Sequence, residues 1–320
     1  MGGHAGTSET DAWTRHWRSG ALSSLSAANR AAEPQEAQNA WVAFFASLPL
    51  NAALLDIATG NGVVPALAQG YARTAGRTFR VTGIDQAAID PLTTVTEHRE
   101  LLEGVKFIGG VSAESLPFPA ASFDALSGQY ALEYTDADKT LKEVARVIKT
   151  GGRARFVLHA KASVTVQFNR PKLAQGDYFL NRSGVFEALE GAVRAAFEGR
   201  NLEATRAAFR DKAVEAREAL KGMGENAELQ ALLNNLVQAY IGRTRFDGLG
   251  TFERWLAGIR DEVTGQVAMI RAMDEAALST EDFMALKEKF EKEGFLAEVG
   301  ELRAGPDRAF LAWTLAGVKF

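Results

Sequence analysis

Nine residues, Leu54-Leu55-Asp56-Ile57-Ala58-Thr59-Gly60-Asn61-Gly62, constrain the fold more than any other part of this chain. Two leucines and an aspartate read as the end of a buried strand. The glycines that follow let the backbone turn tightly and approach a ligand without side chains in the way. An apolar helix then begins and runs from Val63 to Ala72. Strand, glycine loop and helix in this order open a nucleotide-binding α/β domain. A dinucleotide fingerprint places glycine at the third position of G-x-G-x-x-G. Pro65 occupies that position here, which suits the first turn of a helix but not close strand–helix packing. The loop lacks the pyrophosphate fingerprint.

Later blocks narrow what the loop binds. Arg80-Val81-Thr82-Gly83-Ile84-Asp85 reads as a second strand ending in an acid, and an acid there can accept both hydroxyls of a ribose. Val111-Ser112-Ala113-Glu114-Ser115-Leu116-Pro117-Phe118-Pro119 follows, then the strand Ser122 to Ser127. Last come the block Leu141-Lys142-Glu143-Val144-Ala145-Arg146-Val147-Ile148-Lys149-Thr150-Gly151-Gly152 and the strand Arg153 to Leu158. In this order and spacing, residues 50 to 160 and the C-terminal end resemble the class I S-adenosylmethionine-dependent methyltransferases. The likeness is nearest to the ubiquinone/menaquinone-biosynthesis type.

The resemblance implies a Rossmann-like, seven-stranded α/β sheet whose last two strands form a hairpin. It implies S-adenosylmethionine as cofactor. Asp56, Ala58, Thr59, Gly60, Asn61 and Gly62 would hold its amino-acid end, and Asp85 with Gln86 the ribose. Ala113 and Glu114 would flank the adenine, and Gln129 would line the methionine moiety. The family pattern has glycine where Ala58 stands, and alanine suits that place if its backbone angles stay ordinary. Relatives carry aspartate where Ser112 stands. Tyr130 and Tyr134 would line the substrate entrance. Trp13, His16 and Trp17, on one face of an N-terminal helix, would form a lid that excludes water. Asp136 and Asp138 fit the start of a helix rather than a metal site, and no metal is expected.

A sulfonium is an excellent leaving group, so the protein mainly aligns nucleophile, methyl carbon and sulfur. A general base is needed only where the acceptor loses a proton first. His159, at the end of the fifth strand, is the best candidate, because histidine titrates near working pH, and His16 on the N-terminal segment is the weaker alternative.

Composition excludes several classes. The chain has 320 residues and no cysteine, which rules out disulfides, thiolate zinc sites and cysteine nucleophiles. A net charge of −4 offers no global positive field for nucleic acid or anionic membrane. The N-terminus lacks the apolar stretch of a signal peptide, and the run Phe310 to Val318 is too short to span a bilayer as a helix. A cytoplasmic protein is expected, with a small-molecule acceptor, no nucleic-acid or membrane partner, and a homodimer as an option.

The remaining periodicity divides the chain. Residues 1–48 read as an N-terminal helical segment, with a helix from Glu36 to Leu48 stopped by Pro49. Residues 49–160 and 281–320 form the sheet domain. Residues 161–280 read as an all-α insertion between the fifth and sixth strands. Phe186, Leu189, Val193 and Phe197 make one apolar stripe there, and Leu229, Leu232, Leu233, Leu236, Val237 and Tyr240 another. Arg243, Arg245 and Arg254 alternate with Phe246, Phe252 and Trp255, as in a helix with one solvated and one packed face. The expected function is methyl transfer to a small organic acceptor by in-line displacement, oxygen first, releasing S-adenosylhomocysteine, with the insertion as a cap. A protein or RNA methyltransferase and a donor-binding scaffold without turnover are the rivals. Fold alone does not name the acceptor.

Overall fold

The computed structural model describes residues 9–21, 35–96, 99–224 and 226–320. The chain divides into two compact units, one of residues 1–167 with 272–320 and one of residues 168–271.

The first unit is built on one seven-stranded sheet. Its strands are β1 (Ala53–Ile57), β2 (Arg80–Asp85), β3 (Lys106–Gly109), β4 (Phe123–Gln129), β5 (Ile148–Leu158), β6 (Phe295–Ala304) and β7 (Ala309–Lys319). They lie in the order β3-β2-β1-β4-β5-β7-β6. β1 to β5 are parallel, and β7 runs antiparallel between β5 and β6. This is the expected sheet, hairpin included. The insertion leaves the chain after β5 and returns before β6.

Every residue of β1 is buried, as expected of a parallel strand covered on both faces. Ala53, Leu55 and Ile57 point to one face, where they meet Leu141, Val144 and Val147 of α4 (Ala137–Val147) and Phe283, Leu286 and Phe290 of α10 (Thr280–Lys292). Leu54 points to the other face, against Trp41, Phe44 and Phe45 of α2 (Gln35–Ala46) and Val64, Ala68 and Ala72 of α3 (Val63–Thr74). Local chemistry sets the helix starts. The Asp136 carboxylate accepts from the Asp138 and Lys139 N–H groups at the start of α4. Ser279 and Asp282 form a reciprocal cap on α10.

An N-terminal helix, α1 (Glu9–Arg18), belongs to the same unit. Gly62 is left-handed (φ 88°) and caps α3; a Cβ there would come within 2.8 Å of the Phe107 ring.

The second unit is helical. It holds most of α5 (Val164–Asn181) and α9 (Leu249–Ala276), and the whole of α6 (Val185–Glu198), α7 (Leu202–Gly222) and α8 (Ala227–Ile241). Phe179, Phe186, Leu189, Phe209, Leu233, Leu236 and Phe252 are buried at its centre. Helix boundaries fall around the glycines of 222–224 and 248–250, as their flexibility predicts. Phe197 departs from the expected stripe. It is 42% exposed in the last turn of α6, just before Gly199 ends that helix.

Candidate functional site

A cavity of about 350 Å³ opens at the carboxyl ends of β1, β2, β4 and β5. Ligands of open α/β sheets bind at such a place. Ala58, Thr59, Asp85, Gln86, Ala113, Gln129, Tyr130, Tyr134, His159, Trp13 and Trp17, all singled out in the sequence, are brought together in its lining. Val63, Ala87, Val111, Ala131 and Thr135 line it too, and no residue-level signal singles them out. Small apolar residues seldom carry a signal beyond their segment.

Asp85 is the acidic wall. It is 7% exposed, and its carboxylate accepts the Gly60 N–H (2.8 Å) on one oxygen and the Ala87 N–H (2.8 Å) on the other. It thereby ties the loop after β1 to the loop after β2. Burial raises its pKa above the usual carboxylate range. The remaining lone pairs are available to a diol, and Ala87, Val111 and Ala113 supply an apolar wall beside it. These residues fit S-adenosylmethionine: an acid for the ribose and an apolar slot for the purine.

Five residues expected to hold the donor do not line the cavity. Gly60 and Gly62 shape the loop through left-handed backbone angles (φ 52° and 88°). The Gly60 position leaves no room for a side chain, since a Cβ would lie 2.5 Å from the Trp17 ring. Asn61 is fully buried, and its side-chain amide donates to the Trp17 (2.8 Å) and Ala21 (2.7 Å) carbonyls, pinning the end of α1 to the loop. Glu114 turns to α4, accepting the Asp136 N–H (3.0 Å) and pairing with Lys139 (3.4 Å). Asp56 lies beneath the loop, 2% exposed, and accepts the Ser127 hydroxyl at 2.5 Å. Burial pushes its carboxyl up to about 7.

Ala58 corrects one expectation. Its φ is 47°, in the left-handed region rather than an ordinary one. The family glycine has a steric reason, and alanine bears a strain there of roughly 1–2 kcal/mol.

The other end of the cavity is aromatic. The Tyr130 ring stacks on His159 at 4.0 Å and 9°. Tyr134 meets His159 edge-on at 6.0 Å and Trp13 edge-on at 6.2 Å. Trp13 and Trp17 stack at 5.8 Å. His16 does not line the cavity; its ring packs on Trp17 at 4.7 Å. Tyr130 has a left-handed backbone (φ 54°), held by its N–H bond to the Val157 carbonyl at 2.7 Å.

His159 also corrects an expectation. It is 5% exposed, and burial pushes its imidazole down to about 3, so it does not titrate near working pH. It is a neutral hydrogen-bonding group, and its Nδ1 has no protein partner among the described residues. Its backbone N–H donates to Glu133 Oε1 at 2.7 Å. Burial pushes the Glu133 carboxyl up to about 7. Glu133 thus joins the loop after β4 to the loop after β5, a link that sequence spacing does not show.

Comparisons with known proteins agree with this geometry. Residues 55–156 match the family model described as a methyltransferase domain. The chain is similar to the ubiquinone/menaquinone biosynthesis C-methyltransferase UbiE of Chromobacterium violaceum, 41% identical over 109 residues, covering 33% of this chain and 41% of that protein. It is also similar to UbiE of Laribacter hongkongensis, 38% identical over 104 residues, covering 31% and 40%. The chain therefore spans about two fifths of the length of these relatives. Among solved structures, geranyl diphosphate C-methyltransferase from Streptomyces coelicolor A3(2) is 11% identical, with 98% of this chain and 99% of that chain covered and a TM-score of 0.46. The strand order, the glycine loop and the family match together make the strand-bearing unit a class I S-adenosylmethionine-dependent methyltransferase domain.

Proposed function

We propose that the protein transfers a methyl group to a small, planar, uncharged organic acceptor. One observation carries the reading: a single cavity joins the Asp85 wall to a ring of aromatic side chains around a neutral His159, whose Nδ1 has no partner among the described residues. Bound S-adenosylmethionine supplies a methyl group on a positively charged sulfur, ready for in-line displacement. Asp85 orients the ribose, and the loop Ala58–Gly62 lets the backbone approach the amino-acid end. Tyr130, Tyr134 and Trp13 hold a flat acceptor and exclude water. His159 Nδ1 fixes a hydroxyl or N–H of the acceptor by a hydrogen bond while the imidazole stays neutral. Among the described residues no lysine or arginine lines the cavity, which disfavours phosphate or carboxylate at the reacting end.

Helix α1, pinned by Asn61, is the lid in this reading. The helical unit, whose first helix starts at Val164, is assigned to acceptor selection. A role in a homodimer belongs to the same assignment. The net charge supports a small molecule over nucleic acid. No helix among the described residues is long and apolar enough to cross a membrane, and a cytoplasmic setting is part of the proposal. Oxygen is the attacking atom that a hydroxyl held at His159 presents. The C-methyltransferase names of the relatives favour a ring carbon beside that hydroxyl as a second reading. Product analysis by mass spectrometry and NMR separates them.

Calorimetry tests the donor half. Wild type should bind S-adenosylmethionine and S-adenosylhomocysteine with micromolar Kd, and Asp85→Ala should weaken both at least tenfold, since a buried charged hydrogen bond is worth about 1.5–3 kcal/mol. Absence of binding to either ligand would sink the reading.

A further inference from the structure

We propose that Glu133 is a positioning residue for the methyl acceptor: its buried carboxyl braces the loop after β5 from behind and fixes where His159 presents its ring to the cavity. This inference rests on the acceptor reading above.

The strands β4 and β5 are parallel neighbours, and their loops supply the aromatic end of the cavity. Tyr130 and Tyr134 come from one loop and His159 from the other. Backbone pairing continues just past β4, where the Tyr130 N–H donates to the Val157 carbonyl at 2.7 Å. His159 lies beyond the end of β5, and its N–H takes a side-chain partner. Glu133 Oε1 accepts it at 2.7 Å. The far side of the same residue is also engaged. The His159 carbonyl accepts the Leu278 N–H at 2.9 Å, and the Leu278 carbonyl accepts the Lys161 N–H at 2.9 Å. Tyr130 covers one face of the ring at 4.0 Å and 9°. With its N–H, its carbonyl and one ring face held, His159 has little freedom in how it meets a ligand.

Glu133 is the side chain that joins the two cavity loops. It sits in the helical turn Leu132–Tyr134, between cavity-lining neighbours, but does not line the cavity itself. The Ala131 N–H also stabilises its carboxylate, so one group gathers backbone from both loops. Its other oxygen, Oε2, is buried without a partner among the described residues. A buried acceptor left unpaired costs stability. An apolar residue of the same size would fill the space without that cost, but would leave the His159 N–H unsatisfied. The bond to His159 therefore accounts for an acid at this position. Its consequence is geometric, because a hydrogen-bonding group misplaced by about 1 Å can lower a rate on the order of 100-fold.

Two variants of the full chain separate the bond from the bulk. Glu133→Gln keeps an oxygen that accepts the His159 N–H, whereas Glu133→Met keeps the volume and removes the acceptor. The chain has four histidines, so isotope-labelled histidine gives few ring signals in NMR, and His159→Gln assigns the one of interest. In wild type the ring current of Tyr130 displaces the His159 ring protons. Glu133→Gln should keep that displacement and Glu133→Met should lose it, while calorimetry returns the wild-type Kd for S-adenosylhomocysteine in both. Naphthol, added with S-adenosylhomocysteine in place, is a planar, uncharged hydroxyl probe. It should move the His159 ring signals in wild type and in Glu133→Gln, and bind about tenfold more weakly to Glu133→Met, the loss expected for one hydrogen bond.

A displacement that survives in Glu133→Met or disappears in Glu133→Gln overturns the proposal. Loss of S-adenosylhomocysteine binding in Glu133→Met alone also overturns it, since Glu133 would then support the whole domain rather than His159. If Glu133→Met does not fold, hydrogen exchange in wild type decides: the His159 N–H, beyond the strand end, must be protected, and free exchange overturns the brace. Naphthol that leaves the wild-type His159 signals unmoved overturns the acceptor reading instead.

Discussion

The two units of this chain are legible to different degrees. In the strand-bearing unit, short stretches carry stringent backbone demands. Glycine at 60 and 62, an acid at 85 and alternating strand and helix signals leave few folds that satisfy them all. In the helical unit the sequence shows only apolar stripes at helical spacing, a pattern that many helix packings satisfy. The buried polar groups differ in kind as well. Asp56 and Asp85 are buried carboxyls of the strand unit, whereas Gln175, Ser183 and Asn226 are neutral groups of the helical one. The Asn226 amide donates to Gln175 Oε1 at 2.8 Å and its own oxygen caps α8 through the Leu229 N–H, which is a structural use. A cleft of about 280 Å³ between α5, α8 and α9 shows no comparable set of reactive groups among the described residues. Among the described residues, the buried carboxyls thus lie in the strand-bearing unit.

Three measurements put this contrast at risk. The largest effect concerns packing. Phe290 is fully buried, stacked on Phe295 at 4.2 Å and edge-on to Phe156, so Phe290→Ala should cost about 3–5 kcal/mol in denaturant unfolding. Phe197→Ala, on the exposed end of α6, should cost well under about 1 kcal/mol. Equal losses would show that the helical stripe buries Phe197 in solution.

Next in size is the dependence of stability on pH. Asp56 and Glu133 titrate near 7 when folded, against ordinary values of 3.8 and 4.5. The folded state therefore binds more protons than the unfolded state between about pH 4 and pH 7. Their contribution is fully present below the unfolded pKa and is lost as pH rises through 7. It amounts to a few kcal/mol at most for each group, on the order of 1.4 kcal/mol per pKa unit. Thermal unfolding should thus show Asp56→Asn gaining on wild type as pH is raised from 5 to 8. A constant difference across that range would mean that Asp56 stays ionised in the folded protein.

The smallest effect is a gain. Ala58→Gly should raise stability by about 1 kcal/mol, because glycine adopts φ 47° without a Cβ penalty, less the extra entropy of its unfolded state. A loss on that substitution would place Ala58 outside the left-handed region.

Much of the candidate site is legible in the linear order of residues. Asp85, Gln129 and His159 fall at strand ends because hydrophobic strands of known period end there. The rest depends on partners far apart in sequence. Ser127 meets Asp56 across 71 residues, and the His159 N–H meets Glu133 across 26. Asn61 reaches back to Trp17 and Ala21 rather than into the cavity. Spacing along the chain carries no trace of such pairs. The expectation for His159 fails for a related reason, since its ionisation depends on burial and not on residue type.

Fold class, the hairpin that ends the strand order, the glycine loop and the place of the insertion are all readable from the order of residues alone. The glycine loop, the alternation of strands and helices and the place of the insertion follow from local backbone preference and from the period of apolar residues, which act within a few residues. The seven-stranded sheet and its closing hairpin follow from the resemblance that those motifs carry. Which acids are buried, which ring faces which, and the left-handed angles of Ala58 and Tyr130 emerge only when the chain is folded. Solvation and aromatic contact arise where distant segments meet, and their energies belong to that meeting rather than to any segment alone.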